Sequence, residues 1–214
     1  MSVQDIGSYP MIQAAKYTPR ERQPGDIRFI VIHTMEGDQG PGVARNVAEW
    51  FASDASPDAS AHLMIDPYEV IRGVHDKDWA WHADRANGPG IGIEHAGWSD
   101  KTDWSTPESQ AELSLSAKAV AKYCKALGIP PVWLSPQDIL DGKRGITGHR
   151  ECNLAYAGGR GHVDPGESFP RQAYVSMVRK YLFLENLPKI ALGALAVGGI
   201  VGLAYYAWMR LEKK

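Results

Sequence analysis

The sequence predicts an α/β fold with a central mixed β-sheet flanked by helices, because strand patterns and helix patterns alternate along the chain. An apolar run over 27–33, rich in Ile, Val and Phe, is typical of a buried strand. A second buried strand is predicted over 91–95, between glycine-rich turns. The chain of 214 residues is long enough for one substantial hydrophobic core, so we expect one main domain.

The other elements are predicted from helical periodicity and from turn residues. Thr106 is a suitable N-cap, Pro107 suits a first helical turn and Gly128 suits a helix end, so together they bound one long helix. The predicted elements, in chain order, are a strand over 27–33, a helix over 42–51 with Val43, Val47, Trp50 and Phe51 at helical spacing, short strands over 61–65 and 70–74, a strand over 91–95, the helix from 106 to 128 and a last helix over 170–184.

Composition restricts the class of function. The net charge of −2 gives no support for a nucleic-acid partner. The two cysteines, Cys124 and Cys152, are too few for a disulfide framework. The polar segment 1–25 has no apolar run, so no secretory signal is predicted.

The segment 190–209 differs from the rest of the chain because it contains no charged residue. As a helix it would be ~30 Å long, which matches the hydrocarbon core of a bilayer. Aromatic residues cluster near its end, and basic residues flank it on both sides. It therefore predicts a membrane-spanning helix with the lipid bilayer as partner; the alternative is a long buried core helix. The predicted segments are an N-terminal extension over 1–26, the main domain over 27–184, a linker over 185–189, the membrane helix over 190–209 and a basic tail over 210–214.

Small residues recur at every fourth position of this segment, at Ala194, Gly198 and Gly202. Such a face could pack helices together, or it could reflect only how common glycine is in membrane segments. The basic tail favours a cytoplasmic C-terminus and hence a catalytic domain outside the membrane. The missing secretory signal favours the opposite orientation, so the sequence leaves orientation open.

His33, His149 and Asp164 are candidate metal ligands. His33 ends the buried strand 27–33, where it would be held rigidly at the sheet edge. His149 lies in a Gly-His-Arg turn, and Asp164 lies in a His-Val-Asp-Pro-Gly segment. Two imidazoles and one carboxylate leave the fourth tetrahedral position for water, as in catalytic zinc sites.

Six segments in this order resemble one known family. They read VIHTMEG, SAHLMID, AWHA, GIGIEHAG, GHREC and HVDPGESFP. The chain is similar here to the type-2 N-acetylmuramoyl-L-alanine amidases, a zinc family that includes phage endolysins and the peptidoglycan recognition proteins. The resemblance extends from about Ile27 to Tyr181. It implies one zinc ion held by His33, His149 and Asp164.

The resemblance also implies catalytic roles for Glu94 and His162. Alternation along the strand places Glu94 on the opposite face from its isoleucine neighbours, and the matching glutamate in the family is the catalytic base. His162 stands two residues before Asp164, so it would face the same cavity and stabilise an oxyanion there. In one alternative, His162 binds the metal and Asp164 orients it; in another, Cys152 is the third ligand.

Trp81, His82 and Arg150 are candidate substrate-binding residues. In relatives, the Trp-His-Ala segment borders the substrate, although a core aromatic cluster is an equally good interpretation. Arg150 follows a predicted ligand and would shape the groove or remain a solvated side chain. Ala61 departs from the family, some members of which place a catalytic tyrosine there, and this shifts the expected catalytic role onto Glu94. His62, His75 and His95 are expected to be structural.

The sequence as a whole predicts a zinc-dependent hydrolase that cleaves the amide between N-acetylmuramic acid and L-alanine in peptidoglycan. A phage endolysin, made in the host cytoplasm and acting on the cell wall, fits the missing secretory signal. The alternatives are a peptidoglycan-binding protein without activity, a cytoplasmic amidase that recycles muropeptides, and a membrane-anchored interaction protein.

Overall fold

The structure is a computed structural model that describes residues 1–56, 58–156, 158 and 161–187. Met1–Leu182 form one compact unit, and a second unit begins at Phe183. The predicted membrane helix, its small-residue face and the basic tail lie outside the described residues. Within the described ranges, no helix is both long enough and apolar enough to cross a bilayer.

Strands and helices alternate along the described chain, as the sequence predicts. Some elements were not expected from the sequence. They are the short helix and the strand before residue 149, the helix that begins at that residue, and two strands of two residues each. In chain order the elements are β1 (Tyr17–Thr18), β2 (Phe29–Thr34), α1 (Val43–Ala52), β3 (Leu63–Ile65), β4 (Val70–Arg72), β5 (Trp79–Ala80), β6 (Gly90–His95), α2 (Pro107–Leu127), α3 (Pro136–Leu140), β7 (Gly145–Gly148), α4 (His149–Tyr156) and α5 (Arg171–Glu185).

The main sheet has five strands in the order β4-β3-β6-β2-β7. Strands β3, β6, β2 and β7 run parallel, whereas β4 pairs antiparallel with β3. The predicted mixed sheet is therefore confirmed. Because the neighbours of β2 are both parallel to it, three strands deliver their carboxyl ends to the same edge of the sheet.

One face of the sheet is aliphatic. Alternate residues of β2 and β6, including Ile32 and Ile93, point to this face and are fully buried. Helices α2 and α5 cover it. Their contributions to this core include Leu113, Ala117, Val120, Val175 and Val178.

The opposite face is covered in two patches. Phe29 and Val31 pack with residues of α3 and α4, and Met64 packs with α1. The buried side of α1 consists of Ala44, Ala48 and Phe51, and Val47 packs partly buried against them. The predicted stripe is therefore confirmed at Phe51 and in part at Val47, but it is wrong at Val43 and Trp50. Small alanines let the helix lie close to the sheet, and Trp50 stays 48% exposed.

The caps of α2 confirm the bounds predicted from sequence. The hydroxyl of Thr106 accepts a hydrogen bond from the backbone N–H of Ser109 at 3.1 Å. Gly128 ends the helix with φ of 65°, a left-handed conformation that glycine adopts at little cost.

The predicted N-terminal extension packs within the same compact unit as the sheet. Strand β1 pairs with β5, and Val3 is buried in the aliphatic core. The guanidinium of Arg22 is buried and donates to the carbonyl oxygens of Asp76 and Gly90. The segment therefore supports the loop that precedes β6.

Candidate active site

His33 and Glu94 lie side by side at the carboxyl end of the sheet. They occupy paired positions in the parallel strands β2 and β6, so their side chains share one face. This is the face opposite to Ile32 and Ile93, which confirms the orientation that alternation predicts for Glu94.

His149 and Asp164 reach the same edge from the other side of β2. Strand β7 pairs with β2 and ends at Gly148, so His149, the first residue of α4, begins where the sheet stops. The chain after α4 returns to this point, and the backbone N–H of Arg150 donates to the carbonyl oxygen of Asp164 at 2.9 Å. This hydrogen bond fixes the Asp164 segment beside the start of α4.

The side chains of His33, His149 and Asp164 converge. Nδ1 of His33 lies 3.0 Å from one carboxylate oxygen of Asp164, and Nδ1 of His149 lies 3.1 Å from the other. One ligand atom from each residue lies within 4.8 Å of the others, and all three residues are buried. The three candidate ligands from the sequence are thus brought together, although they are far apart in the chain.

Electrostatics in this cluster favour neutral imidazole beside an ionised carboxylate. Burial lowers the pKa of His33 to about 4, against the opposing effect of Asp164. Burial alone would raise the pKa of Asp164, but hydrogen bonds from His149 and His33 hold it well below its usual range. These protonation states are those that a metal ion requires of its ligands.

Glu94 has a free carboxylate oxygen in this setting. Its Oε2 is buried and has no hydrogen-bond partner among the described residues. Burial, followed by the charges of Asp164 and Glu36, raises its pKa well above the usual range. Carboxylates with a raised pKa are found at functional sites, so Glu94 remains a candidate proton acceptor.

His162 lies over the cluster rather than inside it. Its ring stacks on His149 with centroids 4.3 Å apart, and its Nδ1 is 3.8 Å from the Asp164 carboxylate. Its side chain is 71% exposed, and it faces the same cleft as Asp164, as the i and i+2 spacing predicts. Cys152 is a buried thiol packed with Phe29 and Val31, apart from the convergent ligand set.

A cleft of about 640 Å³ opens above the cluster. Trp81 and His82, both predicted to border a substrate, line it. Arg150 is not among its described lining residues, and its guanidinium lies 3.6 Å from Glu167 instead. The geometry therefore gives no support for a substrate contact by Arg150. Sequence reasoning missed other lining residues, which include Glu36, Trp50, Asp58, Asn87 and Asn153.

The remaining histidines have structural surroundings, as expected. His62 is buried. Its Nε2 contacts the guanidinium of Arg22, and its Nδ1 accepts a hydrogen bond from the backbone N–H of Gly92. His95 is buried on the aliphatic face, and His75 is exposed and pairs with Asp5.

Comparisons with known proteins identify relatives of this chain. Residues 23–167, more than half of the chain, match the family model described as N-acetylmuramoyl-L-alanine amidase. The N-acetylmuramoyl-L-alanine amidase A of Achromobacter lyticus is 28% identical in an alignment of 159 residues that covers 70% of this chain and 81% of that protein.

Two solved structures illustrate the shared fold. Staphylococcus aureus hydrolase AmiA, in complex with its ligand, matches with a TM-score of 0.62 and 17% identity, over 85% of this chain and 86% of that chain. The endolysin N-acetylmuramoyl-L-alanine amidase LysCS from Clostridium intestinale matches with a TM-score of 0.52 and 16% identity, over 83% of this chain and 99% of that chain. At such identities the likeness is one of fold.

Proposed function

This chain belongs to the N-acetylmuramoyl-L-alanine amidase family and is an amidase of that type; we propose that it hydrolyses peptidoglycan with one zinc ion. The observation that carries the proposal is the convergence of His33, His149 and Asp164 beside a carboxylate oxygen of Glu94 that has no partner in the described part of the chain. The bond cleaved is the amide between N-acetylmuramic acid and L-alanine.

The donor set fits zinc. Two imidazole Nδ1 atoms lie 3.0 and 3.1 Å from the oxygens of one carboxylate, and two imidazoles with one carboxylate form a known catalytic zinc set. A zinc ion bound there would lower the pKa of a water molecule to about 7 and polarise the scissile carbonyl.

Glu94 and His162 supply the proton and charge chemistry in this proposal. Glu94 takes the proton of the attacking water and passes it to the leaving nitrogen, so that the amine departs neutral. His162, exposed at the cleft and stacked on His149, donates a hydrogen bond to the developing oxyanion. Trp81 forms part of the wall that contacts the substrate.

The test is hydrolysis of purified cell walls by the full chain. We expect release of peptides with free L-alanine amino termini, loss of that release with a chelator, and recovery with added zinc. A protein that sediments with the walls but releases no amino termini would be a binding protein instead. Activity on soluble muropeptides but not on walls would favour the recycling alternative.

We also propose that the wall-degrading activity is that of a phage endolysin. Expression inside bacteria should leave cells intact until the membrane is permeabilised, and lysis should follow at once. The Glu94→Gln variant, expressed to the same level, serves as the control and should not lyse. Lysis that is equal in both would assign the effect to the membrane segment rather than to wall cleavage.

The proposed membrane anchor rests on sequence, since 190–209 lies outside the described residues. Twenty uncharged residues with basic flanks would insert into a bilayer. Truncation after Pro188 should give a soluble, active enzyme, because every proposed catalytic residue precedes that point, whereas the full chain should sediment with membranes. An aggregated truncation beside a soluble full-length protein would show that the segment is a core helix.

A further inference from the structure

Within the cleft, the ring of His82 touches the ring of His33. Nδ1 of His82 lies 3.0 Å from Nε2 of His33, and the rings meet edge to face with centroids 5.1 Å apart. Both side chains are buried. His33 therefore has both ring nitrogens engaged, Nδ1 towards Asp164 and Nε2 towards His82.

The backbone of His82 is fixed by hydrogen bonds, and its ring is fixed by packing. Its backbone N–H and that of Ala83 both donate to the side-chain oxygen of Asn87, at 2.8 and 2.7 Å. The ring lies against β6, where a Cβ atom on Gly92 would come within 2.5 Å of its Cγ and one on Gly90 within 3.2 Å of its Cε1. The two glycines therefore make room for this ring.

We propose that His82 is a positioning residue for the metal ligand His33. With zinc bound, Nδ1 of His82 accepts the Nε2–H of His33. Nδ1 of His33 then carries no proton for Asp164 and is free to bind the ion. Ligand histidines generally donate their second ring N–H to an acceptor, and this contact fixes both tautomer and ring orientation. The inference rests on the proposed function in that the bound ion is taken to be zinc.

An imidazole suits this position better than the carboxylate that many such sites use. Asp164 and Glu94 already place carboxylates at the ligand set, and Glu36, Asp58 and Asp84 also line the cleft. A further carboxylate, buried against the glycines of β6, would carry a desolvation cost. His82 orients His33 without adding charge, while its other nitrogen has no partner among the described residues.

The test compares two substitutions of similar size in the full chain. His82→Asn keeps an acceptor, because Asn Oδ1 stands where the histidine Nδ1 stood; His82→Leu removes it. Zinc affinity is measured by competition with a chromophoric chelator, without substrate. We expect His82→Leu to weaken zinc binding by about 10- to 100-fold and His82→Asn to recover most of that loss. Equal weakening in both variants, or none in His82→Leu, would overturn the proposal.

A measurement on the unmodified protein keeps the proposal testable if the variants fold poorly. In the zinc-loaded chain, nitrogen-15 NMR of the histidine rings should show His33 with a protonated Nε2 that exchanges slowly and is coupled to Nδ1 of His82. A His33 ring protonated at Nδ1 and bound through Nε2 would overturn the assignment. A wild-type chain that binds no zinc would instead overturn the proposed function itself, so the two failures are distinct.

Discussion

The two faces of the central sheet are made by the same strands, yet they are filled by different chemistry. The face under α2 and α5 receives Ile32 and Ile93, and the other face receives their chain neighbours His33 and Glu94. Of two adjacent residues, one therefore packs in the core and the other lines the cleft, because side chains alternate along a strand.

The neighbouring residues Glu94 and His95, at the end of β6, illustrate the difference between the two faces. His95, on the face of the aliphatic core, has both ring nitrogens engaged, with the carbonyl oxygen of His33 at 3.2 Å and the hydroxyl of Ser116 at 2.7 Å. Glu94, on the cleft face, leaves Oε2 without a partner among the described residues. A buried polar atom without a partner costs free energy, and Oε2 of Glu94 is therefore available to a group that enters the cleft.

The largest effect is expected from removing a ligand on the cleft face. His33→Ala should abolish both zinc binding and wall hydrolysis, because the remaining two ligands cannot complete the site. Metal content is measured by elemental analysis, and activity by release of amino termini. His75→Ala is the matched control, since that histidine is exposed and pairs with Asp5. Full zinc occupancy in His33→Ala would rule out the ligand assignment.

Next in size is the loss of the proposed base. Glu94→Gln keeps the shape of the side chain but cannot take up a proton, so we expect a fall of ~10²- to 10⁴-fold in kcat with zinc content unchanged. Because Oε2 of the buried carboxylate has no partner within the described ranges, the substitution should not lower the free energy of unfolding. A variant with kcat near the wild-type value would mean that another group accepts the proton.

The sequence predicted the parts of this contrast that depend on local pattern. Alternation along the strand was sufficient to orient Glu94, and Thr106 and Gly128 bounded α2, because caps are local chemistry. The convergence of His33, His149 and Asp164 followed from the family resemblance rather than from spacing, since these ligands meet only through the fold.

Contacts between distant segments could not be predicted from pattern. The pairing of His82 with His33 depends on the space above Gly90 and Gly92, which only the assembled sheet provides. The hydrogen bond from the Arg22 guanidinium to the carbonyl oxygen of Gly90, at the start of β6, joins equally distant segments. For α1, periodicity could not show that alanines rather than Val43 and Trp50 face the sheet, because the choice depends on how closely the helix approaches it.

A third prediction tests the aliphatic face instead of the cleft face. Ile93→Ala removes a fully buried side chain from the aliphatic core, so we expect a loss of about 2–5 kcal/mol in the free energy of unfolding. Activity per folded molecule should stay near the wild-type value, in contrast to Glu94→Gln one position later. Urea denaturation and wall hydrolysis on the same samples measure both quantities. A large fall in kcat with little loss of stability would show that the faces are not separable.

The smallest expected effect concerns Glu112, a buried carboxyl on α2, the helix that covers the aliphatic face. Burial raises its pKa to about 9, although Gln39 donates to its Oε2 at 2.7 Å. The pKa of Glu112 in the folded chain thus exceeds the unfolded value of about 4.5. Its contribution to stability is therefore complete below pH 4.5 and is lost progressively as pH rises to 9.

Glu112→Gln removes the titration. At pH 5 the variant should match the wild type, and at pH 8 it should be more stable by about 1–3 kcal/mol, within the limit of about 1.4 kcal/mol per pH unit. Denaturation midpoints of the wild type and of Glu112→Gln, measured at both pH values, test this expectation. A wild type whose stability relative to Glu112→Gln does not change with pH would mean that the carboxyl is ionised in the fold, and that the face under α2 tolerates charge as readily as the cleft does.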